Sequence, residues 1–189
     1  MSAAVIAAPL RVEWFALRGA RTPVVCTGMG RRRSLRSVNR LGNVVILVAG
    51  VAGGLAPHVR VGDLVVADEI RRPDGAARPC PSAPQLVDGL RRLGLTVHCG
   101  PILSWPRMVD GAGRRSLAAT GALAVDMESA WLAPGAFSGF AVVRAISDTA
   151  ATPVVHPAIV GNGLRALRAL RAAVPVLDSW ALTMAMEVS

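Results

Sequence analysis

Val44-Val45-Ile46-Leu47-Val48-Ala49 runs without a polar residue into Gly50-Val51-Ala52-Gly53-Gly54. A strand that is apolar at every position has both faces buried, the condition of a central strand in a parallel sheet covered on both sides by helices. The glycines and the limited length of the run exclude a bilayer span. Upstream, Val5 to Ala8 and Val24 to Thr27 read as shorter strands. A helix is expected from Pro9, which needs no amide donor in a first turn, to Leu17, and another from Arg32 to Leu41. Downstream, Leu64 to Ala67, Thr96 to Leu103, Ala122 to Val125 and Phe140 to Ile146 read as strands. Pro84 to Leu93, Gly113 to Ala119 and a segment opening at Met127 read as helices, and Arg71 to Ala83 as a loop. Near the C-terminus, Leu164, Leu167 and Leu170 alternate with Arg165, Arg168 and Arg171 at helical spacing. Pro175 is expected to interrupt that helix before a last one ending near Met186. Strands alternating with helices, with no repeat or linker, predict one domain over residues 1–189. Its expected architecture is a three-layer α/β/α sandwich around a mixed, mostly parallel sheet.

Composition narrows the function. The net charge is +9, and the sum of 21 basic residues is arginine throughout, so single arginines reflect composition as much as role. A positive surface favours phosphates, nucleic acid or acidic lipid, but dispersed tryptophans and the absence of a recognition motif argue against nucleic acid. The row Arg165, Arg168, Arg171 would suit an acidic lipid surface. Cys26, Cys80 and Cys99 are odd in number and lack metal-like spacing, which points to a reducing cytoplasm with thiols packed as small hydrophobes. No signal-like leader precedes the first strand. His58 and His98 stand apart from other ligands, so neither a metal nor a cofactor is expected.

The chemistry gathers at strand ends. Asp126, Glu128 and Asp148 each follow an apolar run, and buried carboxylates there are costly without partners or a reaction to perform. In an α/β sheet ligands collect at the carboxyl edge of the strands. Five segments reach it: Gly28-Met29-Gly30, Gly50 to Gly54, Ser104-Trp105, Asp126 to Ser129, and Ser147-Asp148.

Those segments together resemble the nucleoside phosphorylase and nucleosidase superfamily. Ala49-Gly50-Val51-Ala52-Gly53-Gly54-Leu55 with Val61-Gly62-Asp63-Leu64-Val65-Val66 is similar to its glycine loop and "VGD" strand. Val125-Asp126-Met127-Glu128-Ser129-Ala130 is similar to its ribose motif, and Val143-Arg144-Ala145-Ile146-Ser147-Asp148 to its "VRAISD" motif. Within the superfamily, the chain resembles methylthioadenosine/S-adenosylhomocysteine nucleosidases and, more closely, hopanoid-associated phosphorylases. The segments Leu103 to Val109 and Thr120 to Ser129, and the short chain, carry that likeness.

The resemblance implies cleavage of an N-glycosidic bond with release of adenine, from adenosylhopane or alternatively from methylthioadenosine or adenosylhomocysteine. It also implies a homodimer. Asp148 is the expected acid beside the purine N7, with its proton retained by an apolar strand end. Glu128 is expected to stay charged and grip the ribose hydroxyls, and Met127 to lie against the sugar. Ser147 would position Asp148 or the base, and Trp105 would stack on the base. Val51, Ala52 and Gly53 would line the substrate, with Asp126 supporting it from behind. Glu13, after the first strand, is the candidate for orienting a water nucleophile. Phosphate is the alternative nucleophile, with Gly28, Gly30 and Arg31 as its expected site at a helix start. The phosphorylase "GDP" signature is absent after strand one, and Val51 stands where many nucleosidases have serine. A nucleoside-binding protein without activity is the rival from another class.

Overall fold

The structure, a computed structural model, describes residues 4–42, 44–133, 139–150 and 159–187. In chain order its elements are β1 (Ala4–Ala8), α1 (Arg11–Leu17), β2 (Val24–Cys26), α2 (Arg31–Leu41), β3 (Val45–Gly54), β4 (Leu64–Arg71) and β5 (Ala77–Pro79). They continue with α3 (Ala83–Arg92), β6 (Val97–Ser104), α4 (Gly111–Ala118), β7 (Ala124–Asp126), α5 (Ser129–Leu132), β8 (Phe140–Asp148) and α6 (Ile159–Glu187).

The apolar run that opens β3 lies at the centre of a mixed sheet. β1 pairs in parallel with β2 and β3, β3 with β8, and β6 with both β4 and β7. β8 is antiparallel to β4, β7 to the end of β3, and β5 to β4. The strands β3, β8, β4, β6 and β7 therefore pair in a closed circuit. Alternate residues of β3 serve opposite faces, as the pleat requires. Val45, Leu47 and Ala49 join a core with α1, α3 and α6, while Ile46, Val48 and Ala52 join a second core with α2 and α5. This is the expected α/β architecture with helices on both faces of a mixed sheet.

Some local readings change. The glycine stretch is strand, because Gly53 and Gly54 pair with β7 while Gly50 to Gly53 pair with β8. The expected loop after β4 contains β5, whose residues Ala77 to Pro79 fold back on Arg71, Ile70 and Glu69. Helix α1 starts at Arg11 after an extended Leu10, so Pro9 precedes it. Helix α5 is a single turn of 4 residues.

Helix α6 does not break at Pro175. Leu170 and Ala173 before the proline and Leu177, Trp180 and Ala181 after it all bury in one core, so tertiary packing outweighs the lost amide bond. Leu164 is half-exposed and lies off that stripe. Asp178 ties α6 to the turn before β2 by accepting from the Thr22 N–H and hydroxyl. Of the cysteines only Cys80 is buried, Cys26 and Cys99 being exposed. No helix among the described residues is long and apolar enough to cross a membrane.

Candidate active site

At the carboxyl end of β3 a cavity of about 200 Å³ opens. Its floor is Val51, Ala52 and Gly53, and its walls include Glu13, Val125, Asp126, Met127, Glu128, Ser147 and Asp148. β3 fixes the spacing of the acids. Glu13 is held at Val51, and Asp148 pairs in register with Gly53. Two strand residues separate those points, or roughly 7 Å.

Glu13 projects from the first turn of α1 and is 1% exposed. Its Oε2 accepts the Leu10 N–H at 2.6 Å, closing the start of the helix, and its Oε1 accepts the Val51 N–H at 2.7 Å. Burial pushes its pKa up to about 7 against the opposing pull of Arg144 and the two amides. The side chain is thus no ordinary exposed helix residue. Since its pKa rises from 4.5 to about 7 on folding, the native state keeps a proton that the unfolded chain has released. Its contribution is intact below the unfolded value and is lost as pH climbs through the folded one, a loss of ~3 kcal/mol at 1.36 kcal/mol per pKa unit. Urea unfolding of the wild type and Glu13→Gln at pH 5 and pH 8 should show that the variant lacks this decline. Equal declines in both proteins would mean that Glu13 ionises normally.

Arg144 organises the acids, a role the sequence reading did not assign. It is fully buried in β8, where the other residues from Phe140 to Ile146 are all apolar. Its Nε donates to Asp126 Oδ2 at 2.9 Å and its Nη2 to Ser129 Oγ at 3.0 Å. Nη1 reaches the Val51 carbonyl at 3.5 Å, and Nη2 lies 3.7 Å from Glu128 Oε2. Burial alone would lower the guanidinium's pKa, but Asp126, Glu128 and Glu13 together raise it. Gly50 makes this possible, since a Cβ there would collide with both the Arg144 guanidinium and the Glu13 carboxylate.

Asp126 lines the cavity, yet protein donors occupy both its oxygens. Oδ1 accepts from Ser104 Oγ at 2.5 Å and from the Glu128 and Ser129 N–H groups, while Oδ2 takes the Ser129 hydroxyl and Arg144. It builds the site rather than meeting a ligand. Glu128, at the entry to α5, accepts the Gly30 N–H at 2.9 Å. Burial raises its pKa, Arg144 opposes the rise, and Asp126 adds to it.

Asp148 ends β8 beside Ser147. The Ser147 hydroxyl lies 2.8 Å from Asp148 Oδ1 and 3.3 Å from the Ala52 carbonyl. Asp148 Oδ2 accepts from Arg114, a buried residue of α4. The expectation of an apolar surround for this carboxyl is therefore corrected, because a cation and a hydroxyl meet it.

Other expected residues fall elsewhere. Trp105 does not line the cavity but packs on a small cluster of Leu55, Leu103, Leu117, Ala122 and Val125. Met108, Val109 and Arg107, a few residues on, line the wall instead. The expected phosphate group disperses. The Gly30 amide is engaged by Glu128, Arg31 lies over the Trp131 ring at 4.9 Å, and Gly28 lines a separate cleft with Arg33, Arg36 and Arg40.

A family model described as "Phosphorylase superfamily" matches residues 16–174. Solved structures similar to this chain include an S-adenosylhomocysteine nucleosidase from Streptococcus pyogenes, 23% identical with a TM-score of 0.70, covering 95% of this chain and 98% of that one. A 5′-methylthioadenosine/S-adenosylhomocysteine nucleosidase from Helicobacter pylori is 18% identical with a TM-score of 0.75, covering 99% of each chain. The corresponding nucleosidase from Neisseria meningitidis is 16% identical with a TM-score of 0.73, covering 95% of this chain and 100% of that one.

Proposed function

Because the chain belongs to the phosphorylase superfamily, whose enzymes cleave N-glycosidic bonds, we propose that it hydrolyses an adenine nucleoside, releasing adenine and leaving a ribosyl product. One observation carries the reading: a single cavity is lined by Glu13, held at Val51, by Glu128, held at Gly30, and by Asp148, paired with Gly53. Glycosidic cleavage needs such an arrangement, with a base for water at one end and an acid for the departing purine at the other.

Bond breaking places positive charge on the ribose and negative charge on the purine. Glu128 and Met127 take the sugar, with the carboxylate facing the developing oxocarbenium ion. Glu13 accepts a proton from water as its oxygen bonds to the anomeric carbon. Asp148 gives its proton to the purine N7, so the base leaves neutral. With its pKa near 7, Glu13 acts as a base only when ionised, and kcat/KM should rise as pH increases through about 7.

At the end of the cavity where Glu13 and Glu128 lie, water fits better than phosphate. Arg144 is committed to Asp126, Ser129 and Val51, and the Gly30 amide is committed to Glu128. A phosphate dianion at the sugar would face Glu13 and Glu128 with no uncommitted donor among these groups.

The finer substrate reading is an adenine nucleoside with an apolar 5′ substituent. Met29 is 47% exposed and Met108 is 62% exposed, and both line the cavity, supplying an apolar approach. The Streptococcus pyogenes nucleosidase was solved with 5-methylthiotubericidin, a ligand of the same general class. Methylthioadenosine and adenosylhopane are therefore the substrates to compare, the latter placing the enzyme in hopanoid synthesis at a membrane face. Residues 1–189 would act as one domain within a homodimer, in the cytoplasm. Adenine release should proceed undiminished without phosphate. Strict dependence on phosphate would overturn hydrolysis, and nucleoside binding without adenine release would make the chain an inactive binding protein.

A further inference from the structure

Arg114 is an expensive residue to bury without a task. It is 4% exposed, although α4 is a short surface helix that starts at Gly111 and is followed by Gly121, both with positive φ. Its Nη2 donates to Asp148 Oδ2. Its remaining contacts are long, 3.4 Å from Nη1 to the Gly54 carbonyl and 3.4 Å from Nη2 to the Val109 carbonyl. Nε is buried and has no hydrogen-bond partner among the described residues. Holding α4 in place would be accomplished more cheaply by an apolar side chain packed beside Leu117, since a buried ion pair is a weak source of stability. β3 is also adapted to the pair: a Cβ at Gly53 would lie 2.7 Å from Arg114 Nη2 and 3.2 Å from Asp148 Oδ2.

We propose that Arg114 is the charge partner of the leaving-group acid, a positioning residue that acts through Asp148. The inference rests on the N-glycosidic reading above. As the C1′–N9 bond breaks, its electron pair passes into the purine ring and the Asp148 proton moves to N7. Asp148 is left as a carboxylate, and the Arg114 guanidinium, unchanged in protonation, takes up that new charge at Oδ2. Water adds to C1′, giving its proton to Glu13, and solvent exchange returns both carboxyls to their starting states.

Ser147 completes the device. Its hydroxyl has two acceptors within reach, Asp148 Oδ1 at 2.8 Å and the Ala52 carbonyl at 3.3 Å. When Oδ1 carries the proton, the hydroxyl turns to Ala52. When the proton has left, it returns to Oδ1. Arg114 remains on Oδ2 throughout, so the carboxyl keeps its orientation through the cycle.

The test compares leaving groups. Methylthioadenosine, or adenosylhopane if that is what the wild type cleaves, needs its base protonated. p-Nitrophenyl ribofuranoside presents the same ribofuranosyl ring, with a 5-hydroxyl in place of the apolar substituent, but releases a stable anion. Arg114→Gln should lower kcat on the adenine nucleoside by about 100-fold with little change in KM, in the range of acid–base contributions, while the nitrophenyl riboside changes less than about threefold. Arg114→Lys, which restores the cation, should recover about tenfold of the loss. A parallel loss on both substrates would show a merely structural role, and no loss on either would show no role; both results overturn the proposal. A wild-type protein that cleaves neither substrate would overturn the N-glycosidic reading itself.

Discussion

Asp148→Asn is expected to reduce adenine release by about 10²–10⁴-fold, the range contributed by a positioned general acid. The amide preserves the size of the side chain, and its oxygen can still accept from Ser147 or Arg114. It has no acidic proton to give to N7. Binding should survive, so a nucleoside dissociation constant measured by calorimetry should stay within a few-fold of the wild type while turnover collapses. Such a split identifies an interaction made in the transition state rather than the ground state. Less than a tenfold fall in adenine release would remove Asp148 from the chemistry.

Arg144→Leu should cause the largest loss of stability. It removes the cation shared by three acids, Asp126, Glu128 and Glu13. Removing one partner from a buried charge cluster costs about 3–5 kcal/mol, which for a chain of this size is a fall in Tm on the order of 10 °C. The sign of the pH dependence is distinctive. Carboxylates left without their cation are relieved by protonation, so the variant's deficit should narrow as pH falls from 8 to 5. An unchanged Tm would mean that the acids do not depend on Arg144.

Much of the fold was legible because it follows from periodicity. An unbroken apolar run needs two buried faces, and Val44 to Ala49 has them. The errors share a cause, which is that tertiary contacts outvoted local rules. Pro175 should stop a helix, but apolar residues on both sides of it join one core. Ala77 to Pro79 carry no strand signal and become strand by pairing with β4.

The site was legible only in part. Glu128 and Asp148 could be proposed because carboxylates at strand ends require an explanation, Glu13 and Met127 through the resemblance to the superfamily, and all four line one cavity. Arg144 left a signal that could have been read: a lone charge inside the apolar run Phe140 to Ile146 must have buried partners. Arg114 left none. Nothing in Arg114-Arg115 says which arginine is buried, and its destination depends on the missing side chain of Gly53 far away in sequence. Trp105 failed for the opposite reason, because an aromatic residue at a strand end can turn to either side.

The closed circuit of strands also has consequences for how the protein is made. β8 lies between β3 and β4, although it emerges from the ribosome long after both. Until Phe140 to Asp148 have been synthesised, two apolar strands wait with unpaired edges, which is when nascent chains associate wrongly. Closing pairs so distant in sequence is slow. Arg144 and Asp148 ride on that late strand, so the step that seals the exposed edges also brings in the Asp148 carboxyl and the cation shared by Asp126, Glu128 and Glu13. A chain that has not finished folding therefore has no partly working site, and activity itself reports that the last strand is home.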